Sequence, residues 1–287
     1  MRSLPEPESL RVRGRWPLPP GHRVAVVGAR RPTPYGEAVA ERLAGDLAQL
    51  GAVVLSGLAL GIDGAAHRGA LAAGGCTAAV LGTGLDVIYP HSHSGLAEQI
   101  LAQGGCLISQ FPDGTPPQRA NFPRRNGTIA ALGDVVVVVE AGLGSGALIT
   151  AEAALGLGKP VLAVPGSVFS PLSVGCHQLL RDGAGLVQNA RDVVAELGGD
   201  LAVLDDPLQP PASLGLERQS ELGRDPLLPH LSDSLPAEVG QLAARLQLPL
   251  PEVMARLSRL ELEGAVRRWG GGYVRLPRGG GRPAACR

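Results

Sequence analysis

The sequence predicts an α/β protein in which a parallel-sheet domain is followed by a small C-terminal winged-helix domain. Between residues 23 and 198, short apolar runs alternate with helix-length amphipathic segments, which is the pattern of repeated strand–helix–strand units. A stretch rich in proline, aspartate and glycine follows, and this composition is typical of a linker. Beyond it come two amphipathic helices and a glycine-centred hairpin, the order found in a winged helix.

The strands of the first domain are predicted from continuous apolar runs, because strands of a parallel sheet are buried on both faces. Arg23–Val27 is such a run, and Asp134–Val139 is the strongest signal because five valines follow one another. The predicted strands cover residues 23–27, 52–55, 77–81, 106–109, 134–139 and 161–164, with a short closing segment at 186–187.

The helices are predicted from apolar residues spaced three or four apart. In residues 34–50, for example, Val39, Leu43 and Leu47 share one face. The predicted helices cover residues 34–50, 62–73, 94–102, 147–157 and 174–181, and then 236–246 and 251–263 in the second domain. Residues 265–268 and 273–276 are the predicted strands of the closing hairpin.

These elements divide the chain into five parts. Residues 1–22 are predicted to be a flexible N-terminal arm, 23–198 the sheet domain and 199–233 the linker. Residues 234–277 form the predicted winged helix, and 278–287 form a basic tail.

Composition excludes several classes of protein. The 287 residues carry 26 basic and 26 acidic side chains, so the chain is not a histone-like polycation, and Lys159 is its only lysine. No apolar run is long enough for a membrane span or a secretory signal. The four cysteines are far apart, which excludes a zinc ribbon or a redox CxxC motif. We therefore expect reduced thiols, no metal, no cofactor and a cytoplasmic location.

Ligands of parallel sheets bind beyond the carboxyl ends of the strands, so the loops at those ends are the candidate sites. The first loop, residues 28–36, lacks the dinucleotide fingerprint because Arg30 stands where its second glycine would be, and NAD binding is excluded. Its arginines and Thr33 precede a helix and indicate an anion site.

Two later segments also favour an anionic ligand. Residues 119–126, interpreted as a loop, hold three arginines, Phe122 and two asparagines, a mixture suited to phosphates and stacked bases. Residues 140–150 form a glycine-rich loop that leads into a helix, where backbone N–H groups bind anions. The loop lacks the lysine of a P-loop, so nucleoside triphosphate hydrolysis is not indicated.

Asp63 and His67 lie one helical turn apart. They could form a metal or acid–base pair, but a local ion pair is the favoured interpretation. His91 and His93 have metal-like spacing without a third ligand nearby, and no nucleophilic triad or elbow motif is found. We assign no catalytic residue.

Six motifs, taken in order, resemble the DprA family of bacterial DNA-processing proteins, also called Smf. The motifs are Val26–Thr33, Ser56–His67, Gly84–Pro90, Phe122–Asn126, Ser145–Thr150 and Val164–Ser167. The resemblance covers about residues 17–198, and the tail resembles that family's winged helix. One departure is Gly127, which stands where the family usually has another arginine.

The resemblance implies an extended Rossmann-like fold and a non-enzymatic protein that binds single-stranded DNA. It also implies that the protein protects incoming strands and loads the RecA recombinase during natural transformation. The implied DNA-binding residues are Gly28, Arg30, Arg31, Thr33, His91, Arg124, Arg125, Asn126, Ser145, Gly146 and Thr150. The implied homodimer interface contains His177, Leu180 and Leu186, in a region that overlaps the family's RecA contact.

Two alternatives remain. A nucleotide phosphoribohydrolase-like enzyme uses the same type of sheet and a glycine-rich anion loop, although here no glutamate follows Glu140 until Glu152. A duplex-binding regulator would read DNA with the second helix of the winged domain. That helix offers only Arg256 and Arg259 among several glutamates, which makes it a poor groove reader.

Overall fold

The computed structural model describes residues 10–198 and 225–276, and the chain divides into two compact units, a sheet unit and a winged-helix unit. The strands of the sheet unit are β1 (Arg11–Gly14), β2 (Arg23–Val27), β3 (Val53–Ser56), β4 (Thr77–Leu81), β5 (Cys106–Ser109), β6 (Val135–Val138), β7 (Val161–Ala163) and β8 (Gly185–Leu186). Its helices are α1 (Pro34–Gln49), α2 (Ile62–Ala72), α3 (Ser94–Ala102), α4 (Asn121–Leu132), α5 (Gly146–Gly156), α6 (Val174–Arg181) and α7 (Ala190–Glu196).

The sheet has eight strands in the order β1-β5-β4-β3-β2-β6-β7-β8. All neighbouring pairs are parallel except β1, which runs antiparallel to β5. The strand order reverses at β2, which pairs with β3 on one side and β6 on the other. Ligands of open α/β sheets bind in the crevice at such a reversal, so the topology places the candidate site beyond β2 and β6.

Strand β1 corrects one prediction. Residues 1–22 were expected to be a flexible arm, but residues 11–14 pair with β5 from Arg11 opposite Ser109 to Gly14 opposite Cys106. Val12 packs against the apolar core, and burial of that side chain together with the backbone pairing explains why the segment is ordered. The rest of the predicted arm before residue 10 lies outside the described residues.

Two apolar layers, one on each face of the sheet, hold the sheet unit together. Valine, alanine and leucine dominate both layers, and the central strands are almost completely buried. Small residues let the helices approach closely: a Cβ added at Gly69 on α2 would lie 1.9 Å from the carbonyl oxygen of Glu41 on α1. The scarcity of aromatic residues therefore corresponds to a core packed from short side chains.

Helices α4 and α7 were not predicted from the sequence. Helix α4 contains Pro123 and Gly127, both poor helix formers, although proline is tolerated in a first turn where N–H groups lack intrahelical partners. The chain's only lysine, Lys159, stabilises the end of α4 by donating to the carbonyl oxygens of Ala130, Ala131 and Gly133. A basic side chain at a helix C-terminus is favourable, and this contact is invisible in the sequence.

The winged-helix unit contains α8 (Val239–Leu246), α9 (Leu250–Leu262) and a hairpin of β9 (Val266–Trp269) and β10 (Gly272–Arg275). Its core includes Leu227 and Leu228, which the sequence assigned to the linker. The ordered unit thus extends back at least to Asp225, a buried carboxylate 3.8 Å from Arg256. The predicted linker residues 199–224 and the basic tail lie outside the described residues. In the described part of the chain, no helix has the length and apolarity that crossing a membrane requires.

Candidate functional site

A pocket of about 250 Å³ opens where the order of the strands reverses. Its walls come from the end of β2 and the loop after it, from the start of α2 and the residue Ala59 before it, from the middle of α4, and from the start of α5. The lining residues are Val27, Gly28, Arg30, Ala59, Asp63, Arg125, Asn126, Ile129, Ser145, Gly146, Ala147 and Thr150. Seven of the eleven residues predicted to bind DNA are therefore brought together in one cavity.

Glycine at position 28 is required by close packing. A Cβ at Gly28 would lie 2.7 Å from Cγ1 of Ile62 and 2.9 Å from the carbonyl oxygen of Glu140. The backbone after β2 therefore lies directly against the start of α2 and the end of β6. This packing holds the first loop, and with it Arg30, at the pocket.

Arg30 supplies an exposed positive charge at the pocket. Its guanidinium carbon lies 5.2 Å from the centre of the Phe122 ring, within cation–π range. The ring of Tyr89 lies 5.8 Å from the same Phe122 ring, and Tyr89 is 45% exposed. A cation and two aromatic faces thus stand side by side, which is the combination that binds a phosphate and a stacked base.

The glycine-rich loop forms the opposite wall. Ser145 is the N-cap of α5, and its Oγ accepts a hydrogen bond of 3.3 Å from the backbone N–H of Ala147. Nδ2 of Asn126 donates to the carbonyl oxygen of Gly146 at 2.8 Å, which ties α4 to the start of α5. Thr150, one turn further along α5, is buried in the pocket wall. The positive end of α5 therefore faces the pocket, where it favours negative charge.

Arg125 is a buried residue, only 3% exposed, rather than a free phosphate ligand. Its Nη1 donates to the carbonyl oxygens of Gly57 and Val80, the latter at 2.6 Å. Burial lowers the pKa of Arg125 to about 10, and the nearby Asp63 carboxylate opposes that shift, so the guanidinium stays charged at neutral pH. The predicted DNA ligand is thus a structural cation in the pocket wall.

Asp63 and His67 do not form the ion pair that the sequence favoured. The Asp63 carboxylate accepts from the backbone N–H groups of Gly57 at 3.0 Å and Ala59 at 3.3 Å. Burial raises the pKa of Asp63, while Arg125 and these two N–H groups lower it. Nδ1 of His67 lies 2.7 Å from Oγ1 of Thr77, and burial lowers the pKa of His67 to about 3. His67 is therefore neutral, and Asp63 stabilises the loop that connects β3 to α2.

Four predicted DNA-binding residues do not line the pocket. Thr33 is completely buried, and its Oγ1 accepts from the N–H of Gly36 at 3.1 Å in the first turn of α1. Arg31 and His91 are exposed. Arg124 is also exposed, and its guanidinium carbon lies 5.3 Å from the ring centre of Phe111.

Sequence reasoning did not assign Tyr89 and Phe111 to the site, and it noted Phe122 without committing to it. The available signal was their rarity, since the chain has only three phenylalanines and three tyrosines. Three of these six rings contact one another or an arginine of the first loop or α4. Tyr89 is 45% exposed and Phe122 is half-buried, so these two rings are accessible, whereas Phe111 is buried.

The predicted interface residues lie near the far edge of the sheet. Nε2 of His177 is 3.1 Å from the carbonyl oxygen of Gly166, and Leu180 packs partly against the core. Leu186, on the edge strand β8, is 51% exposed. Of the three predicted interface side chains, Leu186 is therefore the most exposed.

The buried cysteines are poor nucleophiles, because burial raises the pKa of both Cys106 and Cys176 to about 12. Glu140, the glutamate that precedes the glycine-rich loop, is buried two residues after β6. Within residues 10–198 and 225–276, no group of three or more metal-ligating side chains occurs.

The fold and the site define a Rossmann-like protein with a pocket lined by arginine and glycine residues, followed in the chain by a winged helix. Residues 2–198 match the family described as DNA recombination-mediator protein A, and residues 209–272 match the DprA winged helix domain. The chain belongs to the DprA family of DNA-processing proteins, as the motifs suggested.

Protein Smf of Escherichia coli strain K12 is 41% identical over 272 residues, which span 95% of this chain and 72% of that protein. The crystal structure of DprA from Streptococcus pneumoniae is 45% identical over 61% of each chain, with a TM-score of 0.58. DNA processing protein A from Helicobacter pylori is 35% identical, with 61% of this chain and 80% of that one covered and a TM-score of 0.56. The study of that protein concerns its single-stranded DNA binding mode. These relationships confirm the predicted fold class.

Proposed function

We propose that this protein is a non-enzymatic recombination mediator that binds single-stranded DNA in the pocket beyond the carboxyl ends of β2 and β6. The observation that carries the proposal is a cavity lined by Arg30 and the N-terminus of α5, with the ring of Phe122 against Arg30 and the ring of Tyr89 beside Phe122. Membership of the DprA family and the relative from Helicobacter pylori support it.

In this proposal, different groups bind the phosphates and the bases of the DNA. A phosphate binds between Arg30 and the N-terminus of α5 at Gly146, where a guanidinium and a helix N-terminus both favour negative charge. The adjoining base stacks on Phe122 beside Tyr89, without sequence preference, because every base has an aromatic face. A cavity of about 250 Å³ admits parts of one or two nucleotides but not a duplex.

The acidic groups of the pocket support a binding role over catalysis. Asp63 is engaged by two backbone N–H groups and faces Arg125, and Glu140 is buried. Hydrolysis of a glycosidic bond needs a carboxyl group that can exchange protons with the substrate. We infer that these carboxylates stabilise the loops, so that nucleoside monophosphates incubated with the protein release no free base.

The proposal is tested with a fluorescent oligo-dT strand and its duplex, measured by anisotropy at two salt concentrations. Arg30→Gln should bind the single strand about tenfold more weakly, as expected for loss of a charged hydrogen bond. Its slope of log affinity against log salt should fall in magnitude by about 0.7. Arg42→Gln is the matched control, because Arg42 is an exposed arginine of α1 that pairs with Asp46 at 3.7 Å. Equal affinity of the wild type for both DNA forms would contradict the pocket.

We further propose that the protein acts in the cytoplasm as a homodimer and delivers the strand to RecA. The exposed Leu186 on an unpaired sheet edge supports a self-association surface at β8 and α6. Leu186→Arg should therefore give monomers in light scattering. Leu155→Arg, at a 56% exposed leucine of α5, should leave the dimer intact. A dimer that survives Leu186→Arg would place the interface elsewhere.

A further inference from the structure

The outer edge of the sheet carries a row of arginines that the pocket does not use. Arg11 and Arg13 alternate with Val12 on β1, so their side chains lie on the face opposite the core-packed valine. Arg15 and Trp16 follow directly, and all four side chains are exposed, Trp16 by 48%. Residues 10–22 contain no acidic side chain. In the described part of the chain none of these arginines forms an ion pair.

This row begins at the same rim of the sheet as the pocket. Arg11 lies opposite Ser109, the last residue of β5, because β1 and β5 are antiparallel. Phe111 follows two residues later and carries the guanidinium of Arg124 on its ring. Arg124 and Phe111 thus mark this rim on the side of α4, whereas Arg11 and Arg13 lie on the other face of the sheet, which α3 covers. From β2 to β1 there are four strand spacings, which is about 19 Å.

We propose that these four residues, here called the arginine edge (Arg11, Arg13, Arg15 and Trp16), bind the single-stranded DNA that leaves the pocket. The inference rests on the proposed function and extends it. Guanidinium groups would neutralise successive phosphates, and Trp16 would stack on a base at the far end. Beyond the rim, the arginine edge lengthens the path by about 14 Å along β1, because each of four strand residues advances about 3.4 Å.

The shape of the path from the pocket to the arginine edge favours single-stranded DNA over duplex DNA. A strand that follows it crosses the rim of the sheet and then turns down along β1, as the register from Arg11 to Gly14 requires. A flexible single strand can follow this turn, whereas duplex DNA is stiff over about 50 nm. The combined path of about 33 Å corresponds to about ten nucleotides at a stacked spacing of about 3.4 Å.

The test compares oligo-dT of about five and about twenty nucleotides, lengths on either side of one such path. The variant Arg11→Gln/Arg13→Gln should bind the long strand about tenfold more weakly and the short strand within about twofold of the wild type. Its salt slope for the long strand should fall in magnitude by about 1.4, for two contacts. The control Arg42→Gln/Arg245→Gln removes the same charge from two exposed positions elsewhere and should match the wild type.

A second readout does not depend on affinity. The chain has two tryptophans, Trp16 and Trp269, so in a Trp269→Phe background the emission reports on Trp16 alone. The long strand should quench it and the short strand should not.

The outcomes separate the two proposals. If the wild type binds the short strand but the arginine-edge variant keeps full affinity for the long one, the arginine edge is overturned and the pocket stands. The arginine edge is also overturned if its variant loses equal affinity for both strand lengths, or if the control variant loses as much affinity as the arginine-edge variant. If the wild type binds neither strand, the proposed function itself fails, and the arginine edge with it.

Discussion

Replacing Arg125 by methionine tests whether this arginine is a structural cation. The substitution keeps most of the side-chain volume but removes the charge and the donors to the carbonyl oxygens of Gly57 and Val80. Each orphaned buried acceptor costs about 1–3 kcal/mol, and Asp63 loses its opposite charge. Breaking a buried pair by removing one partner costs about 3–5 kcal/mol. We therefore expect unfolding to become about 4 kcal/mol easier for Arg125→Met.

Thermal unfolding followed by circular dichroism measures this effect. For a domain of this size, about 4 kcal/mol corresponds to a decrease in Tm of about 12 °C. The double variant Arg125→Met/Asp63→Asn should recover part of the loss, because the uncompensated carboxylate is then neutral while an amide oxygen can still accept from Gly57 and Ala59. A single variant with a Tm within about 2 °C of the wild type would refute the structural assignment.

Two further predictions concern packing and pH. Gly69→Ala should destabilise the fold by about 3 kcal/mol in urea titrations, because its Cβ would meet the Glu41 carbonyl at 1.9 Å. Gly156→Ala, where nothing lies within 4 Å, should be neutral or slightly stabilising, and equal effects would contradict the close approach. Burial lowers the pKa of His67 from 6.5 to about 3, so between these pH values His67 is protonated in the unfolded chain but neutral in the folded protein. The stability of the fold therefore decreases on acidification by up to about 1.4 kcal/mol per pH unit. His67→Asn should show a shallower decrease than the wild type, because the opposite contribution of Asp63 is common to both; identical slopes would show that His67 does not titrate this way.

The sequence alone determined the features that depend on neighbours along the chain. Apolar runs and helical periodicity are local patterns, so the central strands and five helices of the sheet unit were predicted close to their observed bounds. Glycine-rich loops and arginine motifs are also contiguous, and they identified seven lining residues of the pocket. Strand β1 escaped prediction because its partner β5 is about ninety residues away. Helix α4 escaped because packing outweighs the poor propensities of Pro123 and Gly127.

Only the tertiary structure decided what each cation does. Arg124 and Arg125 are neighbours in the same motif, but successive residues of a helix point about 100° apart. The guanidinium of Arg124 is therefore exposed and lies over the ring of Phe111, whereas that of Arg125 is buried and donates to two carbonyl oxygens. Likewise, Lys159 stabilises the end of a helix, and Arg30 lies over the ring of Phe122. These roles depend on groups that are distant in sequence, which is why residue type and spacing could not assign them.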